Sequence, residues 1–380
     1  MLKLLCKIKE ALYNKILHAA AIHNLKRTDV NPGDENTIII VKMDAIGDMV
    51  LYFENIRMIQ NYYSNFKIIL ICQTCNNEIV RYFFPEIEVV PVGIITINQI
   101  LFCKGFVQRL KKLSGGLLIQ PVYNRTDLIE FIASCVMAPK RITIDGNNRK
   151  SKKIDQYYQV IKTEKETIMM FQRNKEFLEK LWNKDLVAVR FLPEQSLRSK
   201  KEYVVISPGG NINGKRWPID KFAAVIQYIT KTYHIACLLC GSSSEHNICS
   251  ELLSKTEACK VKNLAGATSL IEMIEMIRGA VLYIGNDSAG IHIAAMYQIP
   301  SICIRPGYYK GQFLPYIEDV EIGQEPEVLY KNLPCCGCNA KYRYRTWDCI
   351  RRGLCGQSYP CVDAISEKEV IDIVDALLKE

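Results

Sequence analysis

From Thr37 onward, short apolar runs alternate with longer amphipathic stretches. TIIIVKM (37–43), FKIILIC (66–72), GLLIQ (116–120) and RITID (141–145) carry too little polar alternation for a strand with one wet face. Strands covered on both faces belong to parallel sheets. Between them the spacing predicts helices near 49–60, 74–84, 97–113 and 126–137, and a short strand near 87–91. The rhythm lapses over 146–200, which is polar with one helical piece near 165–183. It resumes with YVVIS (203–207), a helix over 219–231, HIACLLC (234–240), a helix over 243–255, a short strand near 260–263 and a helix over 268–278. Then come an apolar strand from Ala280 to Ile284, a break at Gly285 and Asn286, a short helix from Gly290 to Tyr297, and a strand from Ser301 to Ile304.

Two stretches of strand–helix alternation joined by a polar connection predict two doubly wound α/β domains. We place the first over 1–190 and the second over 191–360, with a last helix in 361–380 expected to pack back on the first domain. Residues 1–27 read as a basic amphipathic helix, with Leu2, Leu5, Ile8, Leu12, Ile16 and Leu17 near one face among lysines. Packing on the domain surface and lying on an anionic membrane are both open for it.

At 380 residues the chain is long enough for two cores. Its formal net charge of +9 suits an anionic substrate or membrane surface, and no Lys/Arg tract is dense enough to demand nucleic acid. The N-terminal apolar positions are broken by lysine, and no stretch approaches membrane-spanning length. A cytoplasmic chain with reduced thiols is the expectation.

Ligands of doubly wound sheets gather at the carboxyl ends of the strands, and four stretches there carry chemistry. In VKMDAIGD (41–48), Gly47 permits a tight turn, and Asp48 is either a helix-capping residue or a general base. SPGGNINGKRWP (207–218) is glycine-rich and cationic, an anion-binding loop beginning at Ser207. Its GxxxxGK segment is not a P-loop, because Arg216 stands where Ser or Thr must hold magnesium. In CGSSSEHN (240–247), Glu245 is either a first-turn glutamate or an acceptor for ribose hydroxyls. At the start of the 290–297 helix, Asp287, Ser288, Ala289, Gly290 and His292 crowd an end that favours phosphate. His292 alone is more commonly a packed core histidine than a ligand.

Sixteen cysteines are many. Ten are scattered through the chain, several of them as small core residues. Cys335, Cys336, Cys338, Cys349, Cys355 and Cys361 cluster among arginines in a spacing that matches no standard zinc pattern. Buried thiols, structural zinc and disulfides all remain open.

Three of these stretches, VKMDAIGD, GGNINGKRWPIDKF and NDSAGIH, stand in the order and strand–loop–helix context of glycosyltransferase family 9, the heptosyltransferases of lipopolysaccharide assembly, which the chain resembles over about residues 37–305. The resemblance implies a GT-B architecture, two Rossmann-like domains facing a central cleft. It implies an inverting transferase that needs no metal or other cofactor and moves a sugar from a nucleotide-diphosphate donor, typically ADP-heptose, to a saccharide acceptor. Asp48 matches the catalytic base. Lys215 matches the donor-phosphate lysine, with Ser207, Ser288, Ala289, Gly290 and His292 around the diphosphate. Glu245 and Asp287 face the nucleoside. Lys42, Gly47 and Arg305 are acceptor-side candidates. The chain departs from the family with Ala289 where glycine is usual and with Arg305-Pro306-Gly307-Tyr308-Tyr309 after the last strand. A lipid-linked or oligosaccharide acceptor, a monomeric state and peripheral contact with an anionic inner membrane complete the expectation. A transferase or epimerase using UDP- or GDP-sugars and a non-catalytic nucleotide-binding relative are the alternatives. The absence of GxGxxG after any predicted strand argues against a dehydrogenase.

Overall fold

A computed structural model describes residues 2–26, 35–93, 104–146, 152–164, 169–186, 189–190, 202–256, 260–307, 312–316, 320–321, 324–333 and 357–379. Its described residues divide between two compact units, one drawn from 1–165 and 173–186, the other from 166–172 and 187–380.

The first unit holds α1 (Leu2–Leu25), β1 (Thr37–Lys42), α2 (Ile46–Val50), α3 (Phe53–Tyr62), β2 (Lys67–Gln73), α4 (Asn77–Phe83), β3 (Glu88–Val92), α5 (Lys104–Lys111), β4 (Leu117–Gln120), α6 (Asp127–Cys135), β5 (Lys140–Ile144), β6 (Gln159–Ile161) and most of α7 (Met170–Trp182). Its six strands pair in parallel in the order β3-β2-β1-β4-β5-β6. Every residue of β1 is buried, as its unbroken apolar run requires of a central strand. The helix expected over 49–60 is two helices, α2 and α3. The chain breaks at Leu51–Tyr52, where the Tyr52 ring is buried under the Lys42 ammonium, 4.8 Å from its centroid. The connection after β5 also supplies β6, a three-residue strand hidden in the polar stretch.

Helix α1 docks on α6. Leu17 and Ala21 are buried in the unit's core, His18 Nδ1 lies 3.2 Å from Asp127 Oδ1, and Asn24 Nδ2 donates to Ser134 Oγ at 3.2 Å. This is the packed arrangement for the second half of the helix; the side chains of residues 1–9 lie outside the description. Among the described residues no helix is long and apolar enough to cross a membrane.

The second unit repeats the topology with β7 (Tyr203–Ser207), α8 (Ile219–Thr232), β8 (Ala236–Leu239), α9 (His246–Ser254), β9 (Val261–Asn263), α10 (Leu270–Gly279), β10 (Leu282–Asn286), α11 (Ala289–Met296), β11 (Ser301–Ile304), β12 (Glu327–Leu329), α12 (Pro360–Asp363) and α13 (Glu367–Lys379). The parallel order is β9-β8-β7-β10-β11-β12. A separate two-stranded parallel ladder pairs 189–190 with 320–321. The last helix shares the second unit's core. Val370 and Val374 of α13 lie in the second unit's core, and Tyr228 and Tyr233, at the end of α8, both donate to Asp375 Oδ1, at 2.8 and 2.7 Å. The amphipathic face of α13 packs on α8.

Candidate active site

In the second unit, strands β7 and β10 lie side by side, so the loops that follow them meet at the carboxyl edge of the sheet. Asn286, read from sequence as a strand breaker, is the last residue of β10 and fastens those loops together. Its buried amide donates to the carbonyls of Pro208 and Gly209 at 2.8 and 2.9 Å and accepts from the Trp217 N–H at 3.0 Å. Gly210 adopts φ +153°, a conformation that side chains rarely tolerate. Its carbonyl receives two bonds from the Arg216 guanidinium, 2.9 and 2.7 Å. Arg216 therefore closes the loop, and Lys215 beside it sits at the end of a single 3-10 turn, Asn213–Lys215. No helix opens at this lysine, as the rejection of a P-loop requires; α8 begins after Pro218.

A second brace comes from a segment that the sequence did not connect with this loop. The Tyr359 ring occupies the place of a Gly214 side chain, Tyr359 N donates to Gly214 O at 2.8 Å, and Ser358 Oγ donates to Arg216 O at 2.6 Å. Trp217 Nε1 donates to Ile365 O at 3.0 Å. A cavity of about 840 Å³ beside this brace is bordered by Arg216, Ser244 and Asn247, but not by Lys215, Glu245 or Asp287.

Glu245 lies at the same edge. Its Oε2 accepts from Ser242 N and Oγ at 2.7 and 2.8 Å, a capping box at the turn leading into α9. Its Oε1 lies against Gly209, where a β-carbon would come within 1.9 Å. One oxygen of Glu245 thus caps the turn, and the other faces the glycine loop.

Ser288 holds the N-cap position of α11 without a side-chain capping bond. Ala289 opens the helix. Gly290 is needed for packing from below, because a β-carbon there would lie 2.1 Å from the Tyr283 hydroxyl. Its smallness makes room for Tyr283. Ser207 ends β7 opposite Gly285. Asp287, Arg305 and Lys215 all act on the Cys303 thiol, which burial pushes well above its ordinary pKa; Asp287 adds to the rise and the two cations oppose it. The three loops therefore converge over β11.

Two expected site residues are buried. His292 is 4% exposed, and its Nδ1 lies 2.6 Å from the Tyr316 hydroxyl. Burial lowers its pKa to about 4, against the pull of Asp287, so the ring is a neutral core histidine rather than a charged phosphate ligand. Arg305, an acceptor-side candidate, lies in the second unit. It is 2% exposed, its N–H extends the ladder to Leu329 O at 3.0 Å, and its Nη1 donates to the Leu314 carbonyl.

In the first unit, Asp48 is the third residue of α2, whose N-cap is Ala45, so Asp48 is a first-turn carboxylate and not the cap. Gly47 is helical rather than in a left-handed turn. Lys42 is fully enclosed and ion-paired with Asp44, Nζ to Oδ2 2.5 Å, so it cannot itself meet an acceptor. Among the described residues, no three His, Cys, Asp or Glu side chains cluster as a metal site. Cys335, Cys336, Cys338, Cys349 and Cys355 lie outside the description, and Cys361 is half-buried against the second unit's core.

Two doubly wound parallel sheets in series define a GT-B fold. Residues 129–306 match the family model described as glycosyltransferase family 9 (heptosyltransferase). The chain is 37% identical over 126 residues to lipopolysaccharide heptosyltransferase 3 of Escherichia coli K12, a match covering 33% of this chain and 37% of that protein. It is 24% identical over 302 residues to lipooligosaccharide heptosyltransferase 2 of Campylobacter jejuni serotype O:6, covering 78% and 88%. The solved structure of E. coli ADP-heptose lps heptosyltransferase II superposes with TM-score 0.65 at 17% identity, covering 90% of this chain and 98% of that one. Over residues 129–306 the chain is thus similar to glycosyltransferase family 9, and its fold is that of the solved heptosyltransferase.

Proposed function

We propose that the protein is an inverting heptosyltransferase that moves a heptose from ADP-heptose to a saccharide acceptor of lipopolysaccharide or a related surface glycan, without a metal. The observation that carries this reading is the convergence, at one sheet edge, of the Lys215 loop, Glu245 and the start of α11. A nucleoside diphosphate needs a cation and backbone N–H groups for its phosphates, and a carboxylate for its ribose. Asp287 lies beside that helix start, on the nucleoside side of the reading. The named relatives and the E. coli structure supply the heptose and its ADP carrier.

In this mechanism the acceptor hydroxyl attacks the anomeric carbon from the face opposite the diphosphate, which inverts the centre. Asp48 takes the proton as the new C–O bond forms. The bond to the diphosphate oxygen breaks through an oxocarbenium-like state. Lys215 and the N–H groups at Ser288 to Gly290 stabilise the charge growing on the leaving group. The family assigns donor binding to the second unit and acceptor binding to the first. The basic α1 suits a lipid-linked acceptor at an anionic cytoplasmic membrane face, with the enzyme acting as a monomer.

A panel of ADP-, UDP- and GDP-sugars, assayed for nucleoside diphosphate release with and without deacylated lipopolysaccharide core oligosaccharide, tests the reading. The expected result is acceptor-dependent ADP release from ADP-heptose. Turnover of a UDP- or GDP-sugar alone would overturn the donor, and tight ADP binding without any turnover would overturn the activity.

A further inference from the structure

The loop that carries Asp48 holds a second carboxylate, Asp44, fixed by more contacts than a surface aspartate requires. Lys42, the last residue of β1, is 0% exposed, and its ammonium is held between Asp44 Oδ2 at 2.5 Å and the Tyr52 ring at 4.8 Å. Gln73, the last residue of β2, and Asn76, in the turn after it, hold the backbone around the carboxylate. Gln73 Nε2 donates to Met43 O at 2.6 Å, and Asn76 Nδ2 donates to Asp44 O at 2.8 Å. The Asp44 side chain keeps 16% of its surface exposed.

Around it, two enclosed polar atoms, the Tyr52 hydroxyl and Asn76 Oδ1, make no hydrogen bond to any protein group. Burial raises the Tyr52 phenol pKa, and the Asp44 charge raises it further, so the hydroxyl and the carboxylate are neighbours. Unsatisfied buried donors and acceptors are rare in proteins and call for a specific cause. A buried lysine–carboxylate pair is weak evidence for stability, since an apolar pair of similar volume commonly does as well. What the arrangement does provide is a carboxylate with one oxygen taken and the other fixed in place. It stands at the carboxyl end of β1, four residues before Asp48.

We propose that Asp44 is a specificity-determining residue that accepts a hydrogen bond from a hydroxyl of the acceptor saccharide, and that Lys42 is the positioning residue that aims it. The proposal rests on the reading of Asp48 as the base acting on that same acceptor. A sugar hydroxyl is a donor that an ionised carboxylate binds strongly, and Lys42 neutralises Asp44 so that the loop does not present two uncompensated negative charges. Lys42 acts through Asp44 and touches no substrate.

The test is steady-state kinetics with ADP-heptose and deacylated core oligosaccharide on Asp44→Asn, Asp44→Ala and the double variant Lys42→Met/Asp44→Asn. Loss of a charge-assisted hydrogen bond is expected to raise the acceptor KM by roughly ten- to a hundredfold. The calorimetric Kd for ADP is expected to stay unchanged, and kcat at saturating acceptor to change far less than KM. The double variant leaves no unpaired buried charge and is expected to melt near the wild type while reproducing the KM of Asp44→Asn. A wild-type acceptor KM in the double variant would overturn the proposal. So would a KM defect confined to variants with a lowered melting temperature. Undiminished kcat in Asp48→Asn would instead remove the base reading, while the Asp44 effect on KM remained measurable on its own.

Discussion

Gly209 and Glu245 are in contact in a way that only glycine allows: a β-carbon on residue 209 would sit 1.9 Å from the glutamate's Oε1. Gly209→Ala must therefore displace the carboxylate assigned to the ribose. ADP affinity, read by calorimetry, is expected to fall by about tenfold, the value of a charge-assisted hydrogen bond. Unchanged affinity would remove Glu245 from the nucleoside site.

Asp48→Asn keeps the shape of the first turn of α2 and removes the proton acceptor. Transfer is expected to fall by roughly 10²–10⁴-fold while ADP binding is retained. Wild-type turnover would mean that another group takes the proton.

Trp217 joins the glycine loop to the C-terminal segment. It is buried, packs edge-to-face on Phe222 with centroids 4.9 Å apart, and donates Nε1 to Ile365 O. Trp217→Ala is expected to cost about 3–5 kcal/mol in urea unfolding and to weaken ADP binding, because the Lys215 turn loses its support. A loss of stability with unaltered ADP affinity would show that the loop holds its shape without the tryptophan.

His292 gives stability a pH dependence. Its folded pKa of about 4 lies below the ordinary 6.5, so between these values the unfolded chain binds the extra proton. The contribution is full above pH 6.5 and is lost as pH falls toward 4, by about 3 kcal/mol in all. Denaturation midpoints from pH 7 to 4 are expected to fall more steeply for the wild type than for His292→Phe. Parallel curves would show that the ring titrates normally.

The sequence pattern revealed the two sheets because their central strands are continuous apolar runs, and nothing but a strand covered on both faces explains a stretch such as TIIIVK. It missed the edge strands β6 and β12, whose three residues, QVI and EVL, are too few to show a period. The Gly-rich loop, Glu245 and the α11 start were recognisable because glycines, a carboxylate and small residues fall just after predicted strands. What holds them was not. Asn286 looks like a strand terminator until β7 is placed beside β10, and Tyr359 lies 145 positions from the glycine it braces. His292 was misplaced because its partner Tyr316 is 24 residues away, in a stretch with no periodic pattern. An amphipathic pattern such as that of α13 shows that one face is covered but not what covers it.

The packing of α13 on α8 and the grip of residues 358–365 on the Lys215 loop also set an order of events during synthesis. Apart from its short share of 166–172, the second unit follows the first in the chain, and its core includes Val362, Val370 and Val374. A ribosome releases the first sheet complete with its covering helices while the second still lacks part of its wall. Until residues 358–374 emerge, the apolar face of α8 stands open to chaperones, and the loop that carries Lys215 lacks the brace of Ser358 and Tyr359.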